Sequence, residues 1–276
     1  MKKRRYILNK DIPVTASTLL VCWEPDVGQI GRQTYGYIST HAASHEVATI
    51  DPDSFYTMDS VMIEDNVAVF PDNRFLYCPQ GDLIIFKGYH PDQEWYDFIG
   101  AILDVAQHYG VNCIYTVGGM ISVTPHSTPR ELLTVANSAE LAYNLEQYDP
   151  VTRRIEQYET PPGHRPTINA YILWAAGKRK MDAACLWIPV PFYMAPGEDP
   201  QAVRRILDFL ILKLNLHIDF GDINVSITLQ SDKINELRNI NADIDSAIRA
   251  LENDLSISGG ESQRLINNVQ QFLKGK

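Results

Sequence analysis

The residues in this chain that are equipped for chemistry lie in short loops that follow apolar runs. Asp26, Gly28, Gly31 and Arg32 follow the first run, Lys87 and His90 the second, Gly118, Gly119, His126, Thr128 and Arg130 the third, and Tyr193 the fourth. A histidine, several cations and helix N-termini meeting in one crevice would suit an anion or a phosphate. Each signal taken singly has a plainer reading. Asp26-Val27-Gly28-Gln29-Ile30-Gly31 looks like a degenerate glycine-rich phosphate turn, but it is neither GxGxxG nor GxxxxGK[ST], and tight strand-to-helix packing is the favoured explanation of its glycines. His126 could serve as a general base. No nucleophile and orienting carboxylate stand at motif spacing from it, so a loop hydrogen bond is favoured and no catalytic residue is assigned. Ser127 and Thr128 read as caps of a helix starting near Arg130, whose guanidinium either reaches a bound anion or faces solvent. Asp51-Pro52-Asp53 and Glu64-Asp65 pair carboxylates in sequence alone, and turn chemistry accounts for Asp-Pro; no metal and no cofactor is expected.

Those loops need a scaffold that gathers them. Short β-rich runs alternate with segments of helical period, the pattern of βα units feeding a mostly parallel sheet. The runs are Thr18 to Trp23, Asp82 to Phe86, Cys113 to Val117 and Ala183 to Pro189, with helices expected over about 29–40, 92–109, from 130, and from Pro200 to about 214. Asp199 before Pro200 is an N-cap followed by a proline at the first helical position. In such a sheet the loops beyond the strands' carboxyl ends share one crevice. Val47 to Tyr77 and Tyr148 to Gly163 stand outside the alternation and read as irregular or antiparallel edge segments. From Ser231 onward Ile234, Leu237, Ile240, Ile244, Ile248, Leu251 and Leu255 recur at three- and four-residue steps, and a second face follows the break at 256–260 with Leu265, Ile266, Val269, Phe272 and Leu273. The expected division is an α/β domain over 1–230 and a C-terminal helical hairpin over 231–276.

Composition limits the partners. A net charge of -10 over 276 residues disfavours nucleic acid and anionic lipid surfaces, and the one basic cluster, Lys2 to Arg5, is followed by no apolar stretch of signal-peptide or membrane-spanning length. Cys22, Cys78, Cys113 and Cys185 are scattered, three of them inside apolar runs, so they read as small buried hydrophobes in a reducing, cytoplasmic compartment. Trp23, Trp95, Trp174 and Trp187 are expected in the core.

Several segments, in order and spacing from about residue 15 to 220, resemble the proteasome assembly chaperone 2 family. They are Trp23-Glu24-Pro25-Asp26-Val27-Gly28; Gly88-Tyr89-His90-Pro91 with Trp95; Val117-Gly118-Gly119 with Pro125-His126-Ser127-Thr128-Pro129-Arg130; Tyr158 to Gly163; and Leu186 to Tyr193 ahead of Asp199-Pro200-Gln201-Ala202. The resemblance implies a three-layer α/β/α sandwich of the phosphorylase/hydrolase-like kind that forms homo-oligomers, commonly trimers. It further implies an assembly role on proteasome α-subunits, although the group has also been labelled as related to ATP-grasp ligases. Three positions depart from the family pattern. Thr160 stands where a glycine is usual, Phe192 stands where a histidine is frequent, and the chain ends Leu273-Lys274-Gly275-Lys276 without the hydrophobic-tyrosine tail of members that dock on the proteasome.

The expected function is therefore protein binding without catalysis, on proteasome α-subunits or another complex. The alternative is an enzyme or sensor that holds a small anion or nucleotide in the crevice.

Overall fold

A computed structural model describes residues 5–9, 14–64, 66–148, 153–154 and 167–275. Its strands are β1 (Tyr6–Leu8), β2 (Thr18–Glu24), β3 (His45–Ile50), β4 (Met62–Glu64), β5 (Val67–Val69), β6 (Asn73–Cys78), β7 (Leu83–Tyr89), β8 (Cys113–Ser122), β9 (Leu133–Ala136), β10 (Arg153–Arg154) and β11 (Asp182–Pro191). Its helices are α1 (Ile30–His41), α2 (Trp95–His108), α3 (Ala139–Tyr148), α4 (Ile168–Lys178), α5 (Pro200–Leu214), α6 (Gly221–Ile240), α7 (Ala242–Glu252) and α8 (Gly259–Leu273).

All strands but β4 and β5 join one sheet in the order β1-β3-β6-β7-β2-β8-β11-β9-β10. Its centre is parallel: Thr18 of β2 aligns with Leu83 of β7 and Cys113 of β8, and Asp182 of β11 aligns with Cys113. Antiparallel pairings extend both flanks, through β6 and β3 on one side and β9 on the other. Every residue of β2 is buried, as a strand covered on both faces requires. Leu20 and Cys22 point into one core beneath α1, α3 and α5, while Leu19, Val21 and Trp23 point into a second beneath α2 and α4. The result is a three-layer α/β/α sandwich.

Asp199 caps α5 as expected, accepting from the Ala202 N–H at 3.1 Å ahead of Pro200. Cys22, Cys78 and Cys185 are buried, Cys113 is half-buried, and none is bridged. The segment from 47 to 77 supplies the antiparallel strands β3 and β6 and the separate β4–β5 hairpin. The Tyr158–Gly163 element lies outside the described residues.

The chain differs from expectation in three places. β8 runs on through Gly118 and Gly119 to Ser122, where a loop was expected. No helix begins near Arg130; Leu133–Ala136 forms β9, antiparallel to β11, and the helix waits until Ala139, where the Ser138 hydroxyl accepts from the Leu141 N–H. Thr128 and Pro129 imitate a helix start, but the free edge of β11 recruits the apolar Leu-Thr-Val-Ala run instead. The C-terminal region holds three helices: α6 runs unbroken across position 230, and Asn241 stops it and caps α7 by accepting from the Ile244 N–H. Ile234, Leu237, Ile244, Ile248, Leu251, Leu265 and Val269 are buried in the core that contains α5, whereas Ile240 and Leu255 are exposed.

Candidate functional site

A cleft of about 1060 Å³ opens at the carboxyl ends of the central strands, on the side covered by α2 and α4. β2 delivers Trp23 and, just beyond its end, Asp26; the segment after β7 delivers His90; β8 forms the floor with Gly118 and Gly119; β11 adds Trp187. The first turns of α2 and α4 add Trp95, Tyr96, Asn169 and Tyr171.

Backbone crossings set this geometry. A Cβ on Gly119 would lie 2.1 Å from the Val27 carbonyl oxygen, and one on Gly31 would lie 2.5 Å from that of Trp23. Gly28 takes a φ of 70°, and its carbonyl accepts from the buried Asp199 N–H at 3.1 Å. These three glycines therefore let chain segments touch, the reading favoured from sequence for Gly28 and Gly31 but not for Gly119, which was expected in a ligand-binding loop. Gly118 differs: the nearest atom to a Cβ there is Asn169 Nδ2 at 3.6 Å, so space remains above it.

Both carboxylate oxygens of Asp26 accept from the Gly31 N–H at 3.1 Å. Burial, reinforced by the nearby Glu24 charge, pushes the Asp26 carboxyl up to about 7 against the stabilising backbone N–H groups. Burial also lowers His90, whose ring meets Trp23 edge-on at 5.0 Å. The Trp23 indole Nε1–H donates to Asn169 Oδ1 at 2.7 Å, which ties α4 to β2.

The remaining expected site residues do not reach this cleft. Arg32 and Lys87 both bind Glu24, at 3.2 and 2.9 Å. Arg130 is buried, with Nε donating to Asp199 Oδ2 at 2.8 Å and Nη1 to the Thr128 carbonyl at 2.7 Å. It neither starts a helix nor faces solvent. Tyr193 accepts from the His126 backbone N–H at 2.7 Å, and its hydroxyl lies 2.9 Å from His126 Nδ1. Burial, with the nearby Arg238 and Arg130 charges, lowers His126 to about 4, so the ring that meets the Tyr193 hydroxyl is neutral. His126, Thr128, Arg130 and Tyr193 thus form a buried brace between the β8–β9 loop and the start of α5. Among the described residues, neither lysine nor arginine lines the cleft.

Sequence reasoning missed the aromatic wall. Trp95 is 42% exposed and Trp174 58% exposed, and only Trp23 among the four tryptophans is buried. A usable signal existed in the position of Trp95 and Tyr96 at the start of a helix that follows a strand's carboxyl end, where side chains face the crevice.

The sequence matches the model of the PAC2 family over residues 24–237. No curated protein matches it. Among solved structures, a Mycobacterium tuberculosis protein of unknown function is similar, with a TM-score of 0.77 at 16% identity over 92% of this chain and 89% of that one. A Mycobacterium tuberculosis proteasome-assembly chaperone homologue gives 0.67 at 18% identity, over 79% and 94% of the two chains. PbaB of Pyrococcus furiosus, an archaeal proteasome activator, gives 0.70 at 17% identity, over 84% and 98%. At these identities the likeness is one of fold.

Proposed function

The chain belongs to the PAC2 family, and from that premise we propose that it is a cytoplasmic, assembly-chaperone-like protein that works as a homo-trimer and engages proteasome α-subunits without catalysing a reaction. Two of its structural relatives are described as a proteasome-assembly chaperone homologue and a proteasome activator, which supports the choice of partner. The observation that carries the reading is apolar surface that the fold leaves unused. Val225 and Leu229, one turn apart on α6, are more than half exposed, as are Met58, Ile63 and Val67 on and before the β4–β5 hairpin. Apolar patches of this kind mark protein contacts. The α6 pair serves self-association and the hairpin serves the partner. No helix among the described residues is long and apolar enough to cross a membrane.

Light scattering on the purified chain tests this. The wild type elutes with three times the chain mass, and Val225→Asp/Leu229→Asp elutes as a monomer with unchanged circular dichroism. Wild-type protein captures purified proteasome α-subunits, and Ile63→Asp/Val67→Asp does not. A monomeric wild type that ignores α-subunits at micromolar concentration overturns the proposal. The anion or nucleotide alternative gains no support from a cleft whose described lining lacks a cation.

A further inference from the structure

The cleft has a chemistry of its own, independent of the surfaces invoked for protein contacts. Its walls are aromatic: Trp23, Trp95, Tyr96, Tyr171 and Trp187. Asp26 is the only carboxylate among its described lining residues. The groups around Asp26 supply no counter-ion. Glu24 on β2 carries the same sign, and it occupies both Lys87 of β7 and Arg32 of α1. Asp199 at the start of α5 is paired with Arg130. Cys22 on β2 is a buried thiol raised well above its ordinary value, and burial holds the His90 imidazole after β7 below its ordinary value, which disfavours its charged form. No charged side chain of α2, α4, β8 or β11 lines the cleft. A half-desolvated carboxylate without a cation, set among electron-rich ring faces, is complementary to one kind of group.

We propose that this cleft binds an organic ammonium ligand, its cationic head between Asp26 and the aromatic walls and its apolar body against Ile99, Met120 and Ile121. Cation–π attraction and the ion pair act on the same head group. The volume, at the upper end of the range of about 300–1000 Å³ for small-molecule sites, leaves room for an aromatic or alkyl body. Binding a cation favours the ionised carboxylate, so the ligand displaces the proton that Asp26 holds below about pH 7.

The test uses the full chain, with 2-phenylethylamine as the cationic probe and 2-phenylethanol as its neutral counterpart, followed by tryptophan fluorescence and calorimetry. The amine binds at least tenfold more tightly than the alcohol at pH 8. Its affinity falls about tenfold between pH 8 and pH 6 as Asp26 takes up its proton, while that of the alcohol does not change. Asp26→Asn keeps an acceptor for the Gly31 N–H and removes both the preference and the pH dependence. Trp95→Ala, at a partly exposed ring, weakens the amine severalfold and leaves the pH dependence in place, which guards against a folding defect in the first variant. N-acetyl-lysine amide in parallel tells a free amine from a lysyl side chain as the natural source of the ammonium. Equal binding of amine and alcohol, a pH-independent amine affinity, or no binding of any probe at millimolar concentration overturns the proposal. The oligomer mass is unaffected in every arm, so this test and that of the proposed function fail separately.

Discussion

Arg130 and Asp199 show what a buried charge requires. The guanidinium side chain is 3% exposed and the carboxylate 0%, so each depends on the other, and the carbonyls of His126 and Thr128 take further N–H donors. Arg130→Met strands the Asp199 carboxylate and lowers unfolding free energy by about 3–5 kcal/mol in urea titrations. Arg32→Met removes a largely exposed partner of Glu24 and costs less than about 1 kcal/mol. Adding Asp199→Asn to Arg130→Met recovers part of the loss, because no charge is then left buried. Asp26 and His126 give stability opposite slopes with pH. Folding raises Asp26 from 3.8 to about 7, so in that window the native state holds a proton the unfolded chain has released, and stability falls as pH rises. Folding lowers His126 from 6.5 to about 4, so its contribution is lost as pH falls through that window. Asp26→Asn therefore gains stability over the wild type progressively from pH 4 to 7 and holds that gain above it, as thermal melts across the range would read. A variant whose advantage is constant with pH would mean that Asp26 is ionised throughout. Sequence placed His126, Arg130 and Tyr193 in neighbouring loops but not their burial as a brace, because the Asp199 carboxylate at the start of α5 and the Tyr193 hydroxyl engage them only in the folded packing.

At the scale of elements, strands buried on both faces were legible because their interiors must be continuously apolar, as Leu19 to Trp23 of β2 is. β9 was not, since four residues carry no usable period and Thr128-Pro129 imitates a helix start. The break at Asn241 was missed for the opposite reason: the apolar period continues in phase through Ile240 and Ile244 although the helix stops between them. Gly28 and Gly31 were legible as packing positions and Gly119 was not, and the distance from a glycine to its neighbours decides the cost of change. Gly119→Ala drives a Cβ against the Val27 backbone, which has no side-chain end to swing away, and should cost about 3 kcal/mol in denaturant melts. Gly36→Ala in the interior of α1 meets nothing within 4 Å and should gain about 0.5–1 kcal/mol from helix propensity. Equal effects from the two substitutions would mean that the β2–α1 loop is free to move off β8.

For the whole molecule, the sheet divides the interior into two cores, one under α2 and α4 and one shared by α1, α3, α5 and the three C-terminal helices. The cleft opens on the first side and the exposed α6 pair belongs to the second, so the proposed ligand binding and the proposed self-association can be altered separately. The strand order also has a consequence during synthesis. β2 sits at the centre of the sheet, yet its partners β7 and β8 come much later in the chain, with roughly 90 residues between Glu24 and Cys113. At a translation rate of about 5–20 residues per second, β2 spends about 5–20 s outside its final pairing. During that interval seven consecutive residues destined for burial are exposed along both strand edges, the state most open to capture by a neighbouring nascent chain on the same messenger. A ribosome-associated holdase should accordingly bind this chain early, over residues 18–24, and let go only after β8 has emerged.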